Sequence, residues 1–214
     1  MVLLSRNEWL FTVLSILIVT GYTYTLDWPQ ALETPLREPP YNFSTFQFNM
    51  LYFAALLPVG LLGIAIGITI DRIPLPISIM VITLLGFVAQ LTIAMCFLTM
   101  FTGFYALLIA LRAVYGLTGE GAYTIQAVVV QKLGGENYDV MMGLCLTIPL
   151  FFDALNSFVT TTLYDATLEA SVPLFVCAGM CFMSVIVGCI LIFKVKKLDK
   201  ENLESGKKQI HAEE

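Results

Sequence analysis

Residues 73–111 read IPLPISIMVITLLGFVAQLTIAMCFLTMFTGFYALLIAL and contain no Asp, Glu, Lys or Arg. A helix rises 1.5 Å per residue, so a single helix here would be about 60 Å long, twice the thickness of a bilayer core. Thr99, Thr102 and Gly103 interrupt the apolar run and favour a turn. The stretch therefore predicts two consecutive membrane helices, Leu75–Phe97 and Phe104–Val130.

The composition of the whole chain supports the same class of protein. Its 214 residues are 58% hydrophobic and 13% charged, whereas soluble domains are roughly 45–50% apolar and 25% charged. Four further runs are long enough to cross a bilayer core of about 30 Å: Trp9–Leu26, Phe48–Ile70, Val140–Leu163 and Val172–Phe193. We therefore predict an all-α integral membrane protein with a six-helix domain at 1–193. A polar, solvated tail follows at 194–214, in which we expect one amphipathic helical turn.

The distribution of Lys and Arg predicts the orientation in the membrane. Most of the 11 cations fall at the amino terminus, in alternate loops and in the tail. These are Arg6, Arg72, Lys132, Lys194, Lys196, Lys197, Lys200, Lys207 and Lys208. The opposite loops hold only Arg37, so the positive-inside rule places both termini in the cytosol. Residues 29–47 then lie outside, and the sequon that begins at Asn42 is a candidate glycosylation site.

The remaining composition excludes several other functions. A net charge of -5, carried mostly by loops and tail, argues against a nucleic-acid partner. The five cysteines lie in apolar runs, where thiols behave as small hydrophobes. Cys177 and Cys181 share a helix face, but no His or third Cys joins them. We expect no metal site and no cofactor.

Three charged residues lie inside the predicted spans: Arg112 and Glu120 on the fourth, and Asp153 on the fifth. Charges at membrane depth cost from about 2.5 to over 10 kcal/mol, so each needs a reason. Arg112 and Glu120 are eight residues apart, within about 80° on a helix, and could line one cavity. Alternatively, Arg112 pairs with Asp153 or a backbone carbonyl and locks two helices together. The glycines around Glu120 would let a helix or ligand approach closely.

Two prolines lie within spans: Pro58 in the second and Pro149 in the fifth. Each frees the carbonyl one turn earlier and permits a bend. Broken helices are also found in transporters, although prolines alone are weak support for that function.

The end of the second span, Gly67-Ile68-Thr69-Ile70-Asp71-Arg72, resembles the G-x-x-x-D-R signature of the major facilitator superfamily. In that family the motif latches the cytosolic gate, which suggests gate roles for Gly67, Asp71 and Arg72. Gly67 would allow close helix contact. The family usually continues with glycine and basic residues, whereas residues 73–76 read IPLP, so the second half of the motif is missing.

Other patches resemble one branch of that superfamily, the lysosomal dipeptide transporters. Residues 27–34, DWPQALET, match D-x-P-x-A-L-x-T, and Leu51-Tyr52 with Pro58 fits as well. The fourth span matches R-x-x-x-G-x-x-G-E-x5-Q. The positions that carry this match are Arg112, Gly116, Gly119, Glu120 and Gln126. The fifth span is similar at Gly143-Leu144-x-Leu146 and Asn156.

The resemblance implies one half of a twelve-helix carrier, built of two three-helix repeats, that moves dipeptides from lysosome to cytosol by alternating access. Glu120 would hold the amino terminus of the peptide, with Gln126 and Asn156 as polar neighbours. The branch carries an arginine where this chain has Leu150, and Asp153 is added. That change would favour positively charged cargo. The tail would then begin the central loop of the family, and a second six-helix half is expected downstream or by dimerisation.

Two other classes of function compete with this hypothesis. A non-transporting half-carrier could serve as a structural or assembly subunit of a membrane complex. An intramembrane protease is suggested only by Tyr164-Asp165, which lies at the edge of a span without a partner motif. We therefore predict a transporter and not an enzyme, with the lipid bilayer and a small solute or short peptide as its partners.

Overall fold

The structure is a computed structural model that describes residues 4–99, 104–134 and 137–213, without the side chains of residues 71, 133, 134, 199 and 201–213. All the regular secondary structure of the described residues is α-helical, which confirms the all-α prediction. Six helices are long: α1 (Arg6–Thr23), α4 (Thr45–Arg72), α5 (Leu75–Thr99), α6 (Phe104–Gly134), α7 (Tyr138–Thr167) and α8 (Ser171–Glu213). Two are short: α2 (Trp28–Ala31) and α3 (Glu33–Arg37).

Two of the long helices begin with a capping box. Ser5 Oγ accepts from the backbone N–H of Glu8 at 3.3 Å, and the Glu8 carboxylate accepts from the Ser5 N–H. Ser44 and Gln47 make the same reciprocal pair at the start of α4. Both satisfy N–H groups that a helix start leaves free, so the sequence pattern S-x-x-E/Q defines where these helices begin.

Four segments of the described chain are long and apolar enough to cross a membrane: Thr45–Ile70, Leu75–Thr99, Tyr138–Thr167 and Ser171–Leu198. They match the predicted second, third, fifth and sixth spans. Helices α1 and α6 coincide with the other two predicted spans but carry charged residues. The turn predicted between the third and fourth spans falls between α5 and α6, where Thr102 and Gly103 lie outside the described residues.

The two less apolar helices lie inside the bundle. Helix α1 packs against α6, α7 and α8, and α6 packs against α1, α4, α5 and α7. The main buried core lies between α1, α5, α6 and α8, and includes Ile18, Tyr22, Ile79, Ile125 and Leu191. Because neighbouring helices cover α1 and α6, their polar side chains contact protein instead of hydrocarbon.

One end of the bundle gathers the start of α1, the end of α4 and the start of α7. Glu8 accepts from Asn137 Nδ2 at 3.0 Å, which ties α1 to α7. Hydrogen bonds from Asn137 and Ser5 lower the pKa of Glu8. Arg72 and Lys132 line one pocket at this end, and Lys194 lines another with α1. Arg72, Lys132 and Lys194, three of the basic residues that the sequence analysis assigned to one side of the membrane, therefore lie at one end of the bundle.

The opposite end is closed by the two short helices. Trp28, Leu32 and Leu36 are each fully buried there. The Trp28 ring meets Phe97 edge to face, with 5.5 Å between the centroids. The segment that resembles the dipeptide-transporter branch is therefore a packed cap on the bundle.

The sixth helix is longer than expected. Helix α8 continues to Glu213 and has 43 residues, which is about 65 Å at 1.5 Å per residue. This corrects the prediction of a tail with a single amphipathic helical turn, since the helix continues through it. The tail is rich in Lys and Glu, which are strong helix formers and extend a helix that has already started.

Candidate functional site

Glu120 lies in a cavity of about 120 Å³ between α1, α4 and α6. The described lining is mostly apolar and aromatic, and Glu120 is its one charged residue. The other lining residues are Tyr22, Thr23, Leu26, Ala55, Leu56, Val59, Tyr115, Gly116, Gly119 and Tyr123. A concave apolar site with few polar groups is the usual form of a small-molecule site.

The Glu120 carboxylate reaches across to α4. A Cβ built on Gly63 would lie 3.7 Å from Glu120 Oε1. The carboxylate therefore lies against the part of α4 where Gly63 has no side chain. The Glu120 backbone carbonyl accepts from Thr124 Oγ1 at 3.0 Å. Within the described residues, the carboxylate itself makes no hydrogen bond or ion pair. An uncompensated carboxylate beside a cavity can bind a cationic group.

Gly116 brings α4 and α6 close together at this cavity. A Cβ on Gly116 would collide with the backbone carbonyl oxygen of Ala55, whereas one on Gly119 would meet nothing within 4 Å. The two glycines of the sequence motif therefore differ. Gly116 permits helix contact, and Gly119 leaves the cavity open.

Arg112 lies two turns away and is fully buried. Its Nε donates to the Leu51 carbonyl at 3.3 Å, and its Nη2 donates to the Leu26 carbonyl at 2.9 Å. Its guanidinium carbon is 5.5 Å from the centroid of the Trp28 ring and 5.8 Å from that of Tyr115. The side chain thus ties α6 to α4 and to the end of α1.

These contacts decide between the two arrangements that the sequence left open. Arg112 binds backbone carbonyls, and no ion pair joins it to Asp153 among the described residues. It does not line the cavity with Glu120. Eight residues are about 12 Å of rise along α6, so Arg112 meets α4 near the cap, at Leu51, whereas Glu120 meets α4 further along, at Gly63.

Gln126 is also buried outside the cavity. Its Nε2 donates to the carbonyl of Cys145 at 3.1 Å. Residue 149, which would normally supply the N–H for that carbonyl, is a proline and has none. Gln126 therefore supplies the donor that Pro149 removes from α7, which links α6 to α7.

This arrangement predicts a non-additive pair of substitutions. Gln126→Leu should lower the free energy of unfolding by about 1 kcal/mol, because it leaves the Cys145 carbonyl without a donor. In a Pro149→Ala background the loss should be at most half of that, since an alanine at this position supplies the missing N–H. A double-mutant cycle of thermal midpoints measures the difference. An equal loss in both backgrounds would contradict the proposed link.

Asn156 is fully buried on α7. Its Oδ1 accepts from Thr160 Oγ1 at 2.8 Å, and Cys177 Sγ on α8 lies 3.9 Å away. Its Nδ2 has no partner among the described residues. Like Arg112 and Gln126, Asn156 lies in the packed interior.

Asp153 has a neighbour that the sequence analysis did not assign to the site. Its carboxyl group lies close enough to that of Asp27, the residue before α2, to interact with it electrostatically, and its Oδ1 is buried with no hydrogen-bond partner among the described residues. Tyr123, which lines the Glu120 cavity, interacts electrostatically with both Asp153 and Glu120. The structure therefore places a second acidic group beside the cavity. The sequence feature that could have indicated this second acidic group is Asp27 itself, an acid directly after the first predicted span.

The predicted gate motif is only partly described. A Cβ on Gly67 would meet no described atom within 4 Å, so none of the described residues makes the close helix contact predicted there. The side chain of Asp71 lies outside the described residues. Arg72 is exposed and lines a pocket with Lys132. The latch remains a prediction.

The candidate glycosylation site lies on the surface. Asn42 is exposed in the turn before α4, with a positive φ of 51°. Asn adopts this left-handed region more readily than most residues do. Its Nδ2 lies 3.5 Å from the Pro40 carbonyl. The position is accessible to an enzyme.

A bundle of long apolar helices around an uncompensated carboxylate is the construction of a membrane solute carrier. The chain belongs to the Major Facilitator Superfamily, whose family model matches residues 8–213. It is thus a membrane transporter chain, as the sequence predicted. Comparison with curated proteins and with solved structures gives no match.

Proposed function

We propose that this chain binds the amino end of a short peptide at Glu120 and carries it across the membrane by alternating access. The observation that supports this most directly is the Glu120 carboxylate, which lines a cavity and has no described partner. A peptide ammonium group would supply the charge and the hydrogen-bond donors that it lacks. Tyr123 and Tyr115 add aromatic rings to the lining of the same cavity, and the Tyr115 hydroxyl donates to the Tyr22 backbone carbonyl at 2.6 Å.

The acidic pair of Asp27 and Asp153 gives this site a preference for dipeptides with a positively charged side chain. Two carboxyl groups in contact repel each other when both are ionised, and a cation near them relieves that repulsion. In our proposal the basic side chain of a dipeptide lies near this pair. Dipeptides with Lys or Arg are then preferred over those with Asp or Glu.

All six long helices span the membrane in this proposal, which makes 1–193 the transmembrane domain. Helices α1 and α6 cross because the other helices bury Arg112 and the polar side chains of their middle turns, while the exposed Arg6 and Lys132 lie near helix ends. Both termini are cytosolic, since the basic end of the bundle carries Arg72, Lys132 and Lys194. Asn42 then faces the opposite side, where it can be glycosylated. The direction of transport, from lysosome to cytosol, rests on the resemblance in sequence.

A second six-helix half completes the path. Only 17% of the span segments of α4 and of α7 is buried, compared with 44% for α5 and 39% for α8. Exposed side chains on α4 and α7 include Leu61, Ile64, Leu150 and Phe158. These are the faces on which a second half would pack, either from the same gene product or from another copy. They also fit the competing function, a half-carrier that assembles with a membrane partner.

The test is uptake of labelled dipeptides by the purified protein in proteoliposomes. We expect a basic dipeptide such as Lys-Ala to enter about tenfold faster than Glu-Ala, which corresponds to about 1.4 kcal/mol. Asp153→Asn should reduce that preference to about twofold. Asp165→Asn, the same change at an exposed position of α7, serves as the control and should leave it unchanged.

Two outcomes would contradict the proposal. An unchanged preference in Asp153→Asn would remove the acidic pair from the site. No uptake, together with no stabilisation of the protein by any dipeptide, would favour the subunit function. Stable co-purification of the chain with a membrane partner would then support that alternative.

A further inference from the structure

An apolar groove of about 340 Å³ runs along the outside of the bundle between α4 and α5. Its walls include Leu62, Ile66 and Ile70 from α4 and Ile77, Val81 and Leu85 from α5. These residues lie within Thr45–Ile70 and Leu75–Thr99, two segments apolar enough to cross a membrane. The groove is therefore at membrane depth, and it shares no lining residue with the Glu120 cavity.

The groove ends at a basic pocket. This pocket has a volume of about 460 Å³ and is lined by Arg72 and Lys132 together with Ile70 and Ile73. Ile70 and Ile73 also line the groove, so the two spaces adjoin. Arg72 comes two residues after the end of the α4 span segment. The two cations thus stand where hydrocarbon gives way to headgroups.

We propose that an anionic phospholipid occupies this composite site, with one acyl chain in the groove and its phosphate between Arg72 and Lys132. The site matches an anionic phospholipid in its charge and in its depth in the membrane. Apolar walls suit a hydrocarbon chain, and two cations at the boundary suit a phosphate. Basic pockets between membrane helices on the cytosolic side bind acidic headgroups in this way. The orientation proposed above places the pocket on that side.

Binding at this site would affect the bundle directly. Helices α4 and α5 are consecutive in the chain but pack mainly on α6 and on α8. An acyl chain between them would fill a space that side chains leave open. The lipid would therefore hold α4 and α5 together near the predicted gate motif, without touching the Glu120 cavity.

The experiment measures which phospholipid stays with the purified full chain. Protein is reconstituted in vesicles of equal phosphatidylcholine and phosphatidylglycerol, extracted in mild detergent, and its bound lipid quantified by mass spectrometry. We expect phosphatidylglycerol to be retained about tenfold over phosphatidylcholine. Arg72→Gln with Lys132→Gln should reduce this enrichment to about twofold. Arg37→Gln with Lys196→Gln removes the same charge elsewhere and should preserve it.

A second pair of variants keeps both cations and tests the groove. Ala65→Trp places a bulky ring in the groove and should lower total bound phospholipid at least threefold. Ile64→Trp adds the same ring on the neighbouring residue, which is 83% exposed and does not line the groove. It should have no effect. This pair decides the question even where the charge variants fail to fold.

Three results would overturn the proposal. One is equal phosphatidylglycerol enrichment in both double charge variants, and another is equal lipid retention in Ala65→Trp and Ile64→Trp. The third is release of phosphatidylglycerol by millimolar inorganic phosphate, which would assign the pocket to a soluble anion.

Discussion

Replacing Glu120 by Gln is expected to lower dipeptide uptake about 100-fold while the fold is retained. The change removes the negative charge and keeps the shape of the side chain. Losing one partner of a buried, hydrogen-bonded charge pair costs 2–5 kcal/mol, and about 2.7 kcal/mol corresponds to 100-fold. The carboxylate makes no hydrogen bond or ion pair among the described residues, so little stability should be lost. Initial uptake rates in proteoliposomes measure the effect.

A change in the substrate makes this prediction sharper. Acetylating the amino end of the dipeptide removes the ammonium group, so wild-type protein should transport it as poorly as Glu120→Gln transports the free peptide. In Glu120→Gln, acetylation should have almost no further effect, because the two losses concern one contact. Glu169→Gln, the same substitution at an exposed site, should behave as wild type. Losses that simply multiply would show that Glu120 acts elsewhere than at the peptide amine.

Gly116→Ala is expected to destabilise the bundle, and Gly119→Ala is not. At Gly116 the new methyl group would collide with the carbonyl oxygen of Ala55, and at Gly119 it would enter open space. Overpacking of this kind costs about 1–3 kcal/mol, which lowers the unfolding temperature of a chain of this size by several degrees. Gly119→Ala should be neutral or slightly stabilising, since Ala favours helix over Gly.

The thermal midpoint of each variant in detergent tests this contrast. Because the obstacle is a backbone carbonyl, Ala55→Gly should not rescue Gly116→Ala. Equal midpoints for Gly116→Ala and Gly119→Ala would show that α4 and α6 are not in close contact at this point. Rescue by Ala55→Gly would place the contact on the side chain instead.

The positions of the helices could be read from the sequence because they depend on local properties. In a bilayer each backbone polar group must be satisfied within its own segment, so an apolar run of sufficient length becomes a helix. The patterns beginning at Ser5 and Ser44 define two helix starts through hydrogen bonds between residues three apart in the sequence. The Lys and Arg that share one end of the bundle were also predictable, since direction alternates between successive helices.

The site was predictable only in part. Glu120 was expected in a cavity, and it lines one. Arg112 and Gln126 are also polar residues on α6, yet both side chains donate hydrogen bonds to backbone carbonyls inside the bundle. Nothing nearby in the sequence shows that Gln126 replaces the N–H missing at Pro149, because that contact depends on how α6 and α7 pack.

The sequence by itself determined the class of protein and the bounds of most helices, and it singled out the carboxylate of Glu120 as one that needs a reason. The tertiary structure decided what each polar side chain contacts. Arg112 binds carbonyls that are 86 and 61 residues away in the chain, at Leu26 and Leu51. The carboxyl groups of Asp27 and Asp153 interact electrostatically across a still longer separation in sequence. Helix formation depends on neighbours along the chain, whereas the partner of a buried charge depends on which helices meet.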